Sequence, residues 1–447
     1  MAARLLIGAG SGFAGDRVDP AIAVVDALSA HEAPGFLIYE TLAERTLALA
    51  QQAGGSRAAV AERFLEPILH ACLAKGIRIV GNFGGSDPLA VARRVAAMGR
   101  ETTGTSPRVA AIVGDDLLAA LGEQGVRALD LDLPLDPADR VVAANAYIGA
   151  DPIRQALDDE ARIVVAGRVS DPSLALGPFL HVTGARDHDS LAHGTLAGHL
   201  LECAGQVTGG YFAVPGLKDV EGLDDLGFPV AEIDDDIVIG KPAGTGGRID
   251  CATVKEQILY EIHDPAAYLT PDITLDITAV DVEAVGSDRV RVCGARGFAP
   301  PARLKATICF ENGWLAESEI SYAGHRAFER AKLAIDIVRR RMGRFAPGLA
   351  VRADIVGVAS VFADDAGIML EAWRGQPPDD VRARFALRAR DRKAAERLIE
   401  EVEGLYTNGP AGGGGVRSRL ERSIATSSAL VDRDIVRPRV VFAEDGE

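Results

Sequence analysis

The sequence predicts an α/β amino-terminal region, with a mostly parallel open sheet and flanking helices, followed by an α+β domain. Three observations carry that prediction. Short runs rich in β-branched residues alternate with helix-length stretches up to about residue 185. Glycine-rich turns close several of these runs, as they do where parallel strands hand over to helices. Beyond residue 270 the runs alternate apolar with polar residues, the pattern of half-buried antiparallel strands, and long helical stretches separate them. The expected division is residues 1–270 and 271–447.

The apolar run at residues 4–7 is closed by glycines, and residues 20–28 form a helix that opens on Pro20, whose fixed φ suits a first helical turn. Residues 36–39 are the next strand, and the alanine-rich residues 42–53 read as a helix. Further strands fall at 77–80, 109–113, 126–131 and 162–166, all continuous short apolar runs of the kind buried on both faces. A helix at 188–202, a strand at 237–241 and a helix at 253–261 close the first region. In the second, strands fall at 273–280, 289–293, 304–310 and 315–321, the last two joined by a hairpin at Glu311-Asn312-Gly313. A basic helix at 327–342, strands at 352–358 and 381–388, and a helix at 393–405 follow. Residues 408–415 read as either a disordered tip or a backbone-exposing loop.

Among the 447 residues, 48% are hydrophobic and 25% charged, which is the balance of a folded chain and excludes a disordered one. Lys and Arg number 48 against 64 Asp and Glu, a net charge of −16, with no basic stripe to neutralise nucleic-acid phosphates. No apolar run reaches the roughly 18 residues of a membrane span, and the glycine-rich start does not read as a signal peptide. Five scattered cysteines, with no Cys-x-x-Cys pair, read as free thiols in a reducing cytoplasm.

Five loops carry candidate chemistry. Gly10, Gly12 and Gly15 follow the first strand in a Gly-x-Gly-x-x-Gly spacing, so their amides suit a pyrophosphate, with Glu40 placed for a ribose; the alternative is a plain strand-end turn. Asp16, which would repel phosphate, favours that alternative. Asn82, Gly84 and Gly85 follow the third strand, at the sheet edge where ligands bind, and Asp87 also fits a helix cap. Arg168 offers two parallel donors to a carboxylate or phosphate and Asp171 a helix cap, unless the two simply pair. His199 and Glu202, three apart on one helix face, suit proton transfer, with His263 as a further candidate; His188 and His193 lie nearby, but spacing forces no third metal ligand and no metal is expected. Lys241 and Arg248 bracket Gly244, Thr245 and Gly246, a nest for an anion or else a tight β–α connection, with Lys255 beyond.

Taken together, Leu-Ile-Gly-Ala-Gly-Ser-Gly-Phe-Ala-Gly-Asp-Arg at 6–17, Tyr-Glu-Thr-Leu-Ala-Glu at 39–44, Gly-Ala-Asp-Pro-Ile at 149–153 and Ala-Gly-Arg-Val-Ser-Asp-Pro at 166–172 resemble the acyclic terpene utilisation family. The motifs at 194–203, 241–248 and 253–265 extend the resemblance over nearly the whole chain. It implies a catabolic setting in which branched acyl-CoA thioesters or polycarboxylates are processed, and it carries over no catalytic residue. Longer members have a C-terminal region with a Ser-Gly-Asp-Lys-Gly-type motif, absent here, so the expectation is either that a small partner subunit supplies it or that this member does without.

The expected function is that of a cytoplasmic lyase or hydratase acting on an acyl-CoA thioester or small carboxylate by acid–base and enolate chemistry. Residues 241–248 and Arg168 would hold the anion. Asn82 with the amides of Gly84 and Gly85 would polarise a carbonyl, and Glu202, His199 or His263 would move the proton. No redox cofactor is needed, coenzyme A entering only as part of a substrate, and a homo-oligomer is expected. Two alternatives are a non-catalytic ligand-binding subunit completed by a partner, and a nucleotide-dependent oxidoreductase.

Overall fold

A computed structural model describes residues 4–42 and 57–444, so most of the helix expected at 42–53 lies outside the described residues. The chain forms two compact units, one of residues 1–134, 142–309 and 426–447, the other of 135–141 and 310–425.

The first unit contains β1 (Leu5–Ser11), β2 (Gly35–Tyr39), β3 (Arg78–Gly81) and β4 (Val109–Val113). The strand β5 (Arg140–Ala146) and then β6 (Ile163–Ala166), β7 (Val230–Ile233) and β8 (Ile237–Gly240) follow. Next come β9 (Tyr268–Leu269), β10 (Thr274–Asp276), β11 (Asp281–Gly286), β12 (Arg289–Cys293) and β13 (Arg296–Phe298). The chain continues through β14 (Arg303–Ala323), β15 (Arg352–Val356), β16 (Asp380–Ala389) and β17 (Gly414–Asp432) to β18 (Arg439–Phe442).

One ten-stranded sheet runs β11-β12-β8-β7-β1-β2-β3-β6-β4-β18. Its centre, β1-β2-β3-β6-β4, is parallel throughout, as the sequence predicts. Every residue of β1 and of β6 is buried, the consequence of helices covering both faces. Antiparallel strands extend both edges: β7, β8, β12 and β11 on one side and β18 on the other. Because β11 and β12 join this sheet, the first unit runs past residue 270, the expected division, to residue 309.

Helix Pro20–Ser29 opens on its proline, and Asp87 caps helix Pro88–Thr103 by accepting from the Ala90 amide at 3.0 Å. The strand expected at 126–131 does not form. Val126 is instead buried in the last turn of helix Leu117–Arg127, where its apolar neighbours serve a helix face.

In the second unit, β14, helix Ala327–Phe345, β15, β16, helix Arg392–Glu403 and β17 follow one another, with sheet order β15-β16-β14-β17. That is the split β-α-β arrangement of ferredoxin-like domains. Ala331, Ile335 and Val338 of the first helix and Leu398 of the second pack with Ala383, Phe385 and Leu387 of β16. The predicted hairpin at 311–313 is a correction. β14 runs through it, with Trp314–Ala323 paired to β16, and Gly313 takes φ +119°, where a Cβ would stand 2.3 Å from the Ala389 carbonyl oxygen. Residues 409–413 are a short connection into β17, pinned where Arg330 Nη1 donates to the Ala411 carbonyl at 2.7 Å. No helix among the described residues is long and apolar enough to cross a membrane.

Candidate functional site

The carboxyl ends of β1, β2, β3 and β6 share one edge of the first unit's sheet, the edge where open α/β sheets bind ligands. Glu40 follows β2, Asn82 follows β3, and Arg168 and Asp171 follow β6. Helix His188–Leu201 brings Glu202 to the same edge. Its Gly198 is needed for that approach: a Cβ there would stand 2.4 Å from the Pro172 carbonyl oxygen, beside Asp171. Gly12 of the first glycine loop lies against Cys203, where a Cβ would meet backbone at 2.7 Å.

Glu202 and His199 form a buried pair. His199 Nδ1 lies 2.8 Å from Glu202 Oε1 and His199 Nε2 lies 3.2 Å from the Ile258 carbonyl oxygen. The Tyr268 ring stands 5.4 Å from the imidazole, and Gln257 donates to the His199 carbonyl at 3.0 Å. Glu202 Oε2 is buried without a hydrogen-bond partner. Burial pushes the Glu202 carboxyl up to about 7; the His199 charge opposes this, while Asp171 and Glu261 add to it. Burial pulls His199 down, but Glu202 and the carbonyl at Ile258 outweigh it and leave the imidazole raised.

Arg168 is a buried hub rather than an open anion receptor. Its guanidinium donates to the Leu42 carbonyl and to Asp171, and it stacks over the Tyr147 ring at 4.4 Å. Its backbone amide donates to Asp115 Oδ2 at 2.8 Å. The pairing alternative is thus the geometry found. Asp171 caps no helix with its side chain, and Pro172 stands at the start of helix Ser173–Thr183.

Glu40 is buried, with Oε1 accepting from the Leu42 amide at 2.8 Å and Oε2 accepting from the Asn82 amide group. Asn82 Oδ1 accepts from Thr41 N at 2.6 Å, so Asn82 is engaged on both sides and does not offer its amide to a substrate carbonyl. The Gly84 N–H donates to the Ala166 carbonyl at 2.9 Å and is likewise occupied. Gly85, at φ +55°, lies against Arg57. Burial, then the charge of Asp171, raises Glu40 to about 8. A carboxyl raised in the folded chain contributes stability that is present below its ordinary 4.5 and is lost as the pH climbs through about 8. The unfolding free energy is therefore expected to fall across that interval, and to fall less steeply in Glu40→Gln. Urea denaturation at several pH values reads both slopes, and equal slopes would refute the assignment.

The first glycine loop does not present a phosphate cradle. Asp16 already accepts from the Gly12 and Arg17 amides at 2.8 Å each, placing a carboxylate where a pyrophosphate would sit. Residues 241–248 are also closed. The amides of Gly246, Gly247 and Arg248 donate to the carbonyls of Asp225, Glu221 and Thr208 at 2.8, 2.8 and 2.7 Å, so the tight connection replaces the expected nest. Lys241, 7% exposed, donates to the Thr245 carbonyl at 2.7 Å and lies 3.4 Å from Asp288, and Arg248 pairs with Asp250. Neither is joined to Arg168 by a hydrogen bond or ion pair. Gly244, Lys255 and His263 are exposed, and none is tied to the Glu202 cluster. Lys241→Ala is expected to lower stability by about 1 kcal/mol through loss of the bond to the Thr245 carbonyl, Asp288 being screened by water and still held by the Ile249 amide; this is read as a lowered melting temperature, and an unchanged one would make the loop a free anion site again.

Sequence reasoning did not place Tyr268, Glu261, Asp115 or the acid–base setting of Glu40. Glu261 sits at φ +59°, a rarely populated backbone for glutamate that no sequence pattern announces. Among the described residues, no cluster of three or more His, Cys, Asp or Glu is arranged to hold a metal ion.

A family defined as acyclic terpene utilisation family protein AtuA matches residues 5–442. The chain belongs to that family. The resemblance in the motifs from 6–17 to 253–265 is thereby established, and the acyclic terpene utilisation match spans both units. No curated protein matches the chain. Two solved designs are similar to a quarter of it: "De novo designed protein Foldit4" (14% identity, 25% of this chain and 97% of that one, TM-score 0.18) and "De novo designed protein Ferredog-Diesel" (18% identity, 25% and 86%, TM-score 0.16). At those scores the likeness decides nothing about fold or function.

Proposed function

We propose that this member of the acyclic terpene utilisation family is an enzyme that moves a proton to and from a carbon beside a thioester carbonyl, in the manner of a hydratase or lyase on acyl-CoA substrates. The observation that carries the reading is the Glu202–His199 pair: a buried carboxyl raised to about 7, hydrogen-bonded at 2.8 Å through one oxygen and unpartnered at the other. A base poised near neutrality can both take and return a proton. His199 orients the carboxyl, and its other nitrogen, held by the Ile258 carbonyl, fixes the ring.

The substrate class follows from charge. Asp171 and Glu261 bring negative charge to Glu202, Glu40 being raised to about 8 and so largely neutral, and Arg168 is already engaged by Asp171. A free carboxylate at the reacting end would be repelled there, whereas a thioester carbonyl is neutral. The family's name adds a setting of acyclic terpene utilisation. No nicotinamide step is invoked, Asp16 occupying the glycine loop's amides.

Incubation of the chain with saturated and α,β-unsaturated acyl-CoA thioesters in heavy water tests the proposal. Deuterium at the α-carbon, or hydration of the double bond, is the expected result. No exchange and no hydration across the panel would overturn it.

A further inference from the structure

The first half of β17, residues 414–425, forms the outer edge of the second unit's sheet, whose order ends at that strand. It runs extended without a proline or lysine, residues that commonly blunt a free edge. The Ser418 and Ser318 hydroxyls lie 2.9 Å apart, and the Arg422 guanidinium stands 4.7 Å from the Trp314 ring, so β17 is antiparallel to β14. Val416 and Leu420 pack on the core of the unit, which puts Arg417, Arg419 and Glu421 on the opposite face.

The backbone groups that point away from β14 are marked by a hydrogen bond. The Val416 N–H donates to the Tyr406 hydroxyl at 3.0 Å, and alternation gives Ser418, Leu420 and Ile424 the same outward aim. Among the described residues, their amides and carbonyls meet no partner on that side. Farther along, Ser428 is also turned outward, but there the Asp132 amide already donates to its carbonyl at 3.0 Å. The bare stretch therefore lies between two covered ends, and a bare strand edge is completed by another strand.

We propose that this edge pairs with the same edge of a second copy of the chain, antiparallel about a twofold axis at Leu420. Outward residues face one another across such an edge, so even-numbered residues meet even-numbered ones and few registers remain. An axis at Arg419, Glu421 or Arg422 sets that charged residue against its own copy, and an axis at Ser418 sets Arg417 against Arg419. Axes beyond Arg422 oppose the bare stretch with the covered end. At Leu420 the like charges separate. Arg419 of each copy then meets Glu421 of the other, twice by symmetry, and Leu420 meets Leu420 on the core-facing side. Arg419 is 59% exposed and pairs with Glu421 of its own strand, so both side chains already stand together on that face. The pairing is independent of the chemistry proposed at Glu202.

Sedimentation equilibrium of the full chain tests this. A short edge pairing lies at the small end of interfaces, so a monomer–dimer equilibrium with a dissociation constant on the order of 10 µM is expected. Arg419→Glu and Glu421→Arg each turn both symmetry-related pairs to like charge, and each alone is expected to raise that constant at least about tenfold. In an equimolar mixture of the two variants opposite charges face each other again at both places, and the native constant is expected to return. The ion pair within one strand is lost in both variants and mixing does not restore it, so the mixture reads the contact between copies alone. Ser418→Pro removes an outward N–H and none shared with β14, and it is expected to weaken dimerisation as well. Melting temperatures confirm that each variant is folded. No self-association of the native chain at about ten times the expected constant would leave the edge to an extended segment of another protein and overturn the proposal. So would native-like dimers of Ser418→Pro or of either charge variant alone, or a mixture of folded charge variants that stays monomeric.

Discussion

Glu202→Gln is expected to lower α-carbon exchange by about 10²–10⁴-fold, the usual contribution of a positioned acid–base group. The amide keeps the shape and still offers an oxygen to His199 Nδ1, now 2.8 Å from Glu202 Oε1, so substrate binding and folding should survive. What disappears is a group that titrates near 7. The native rate should therefore rise as the pH climbs through about 7 and Glu202 becomes a carboxylate, and that limb should be absent in the variant. Exchange rates across pH, with the melting temperature measured alongside, check both statements. A variant that keeps its rate within a few-fold, or loses its fold, would remove Glu202 from the chemistry.

Arg168→Met is expected to cost about 3 kcal/mol of stability, the lower end of what breaking a buried ion pair costs. Arg168 is 1% exposed, while Asp171 keeps 35% of its side chain in water, and that exposure screens the charge left behind. Removing the guanidinium strips the Leu42 carbonyl and Asp171 of a donor, and takes from Glu40 the charge that partly holds its proton affinity down. The double variant Arg168→Met/Asp171→Asn should recover part of the loss, because no uncompensated carboxylate then remains. Chemical denaturation of both variants reads the difference. A loss within about 0.5 kcal/mol, the scale of an ordinary surface change, would mean that Arg168 is not the hub described.

The candidate site was legible in part. Glu202 and His199 stand three apart on one helix, a spacing that sequence alone places on one face, and the structure joins them. Arg168 and Asp171 were legible as a pair because they stand three apart in one short loop after β6. Residues 241–248 misled because glycine and threonine between two cations describe an anion nest and a tight connection equally well. What separates them is whether the carbonyls of Asp225, Glu221 and Thr208 reach the amides first, and those residues lie outside the motif. Tyr268, Glu261 and Asp115 carried no local signal, since each enters the cluster from a distant segment.

The same division holds for the fold. Continuous apolar runs such as those of β1, β4 and β6, and the proline or aspartate that opens helices Pro20–Ser29 and Pro88–Thr103, are local events, so the sequence by itself determined the central parallel sheet and most helices. The edge strands, the unbroken passage of β14 through Asn312-Gly313, and the capture of β11 and β12 by the first unit were decided by partners far along the chain. An Asn-Gly pair turns a chain when nothing else pairs its flanks, and β16 pairs the flank that follows it, Trp314–Ala323. Proton affinity was likewise tertiary: the covalent chemistry of Glu40 and Glu202 is that of any glutamate, and only burial among other carboxyls raises them toward neutrality.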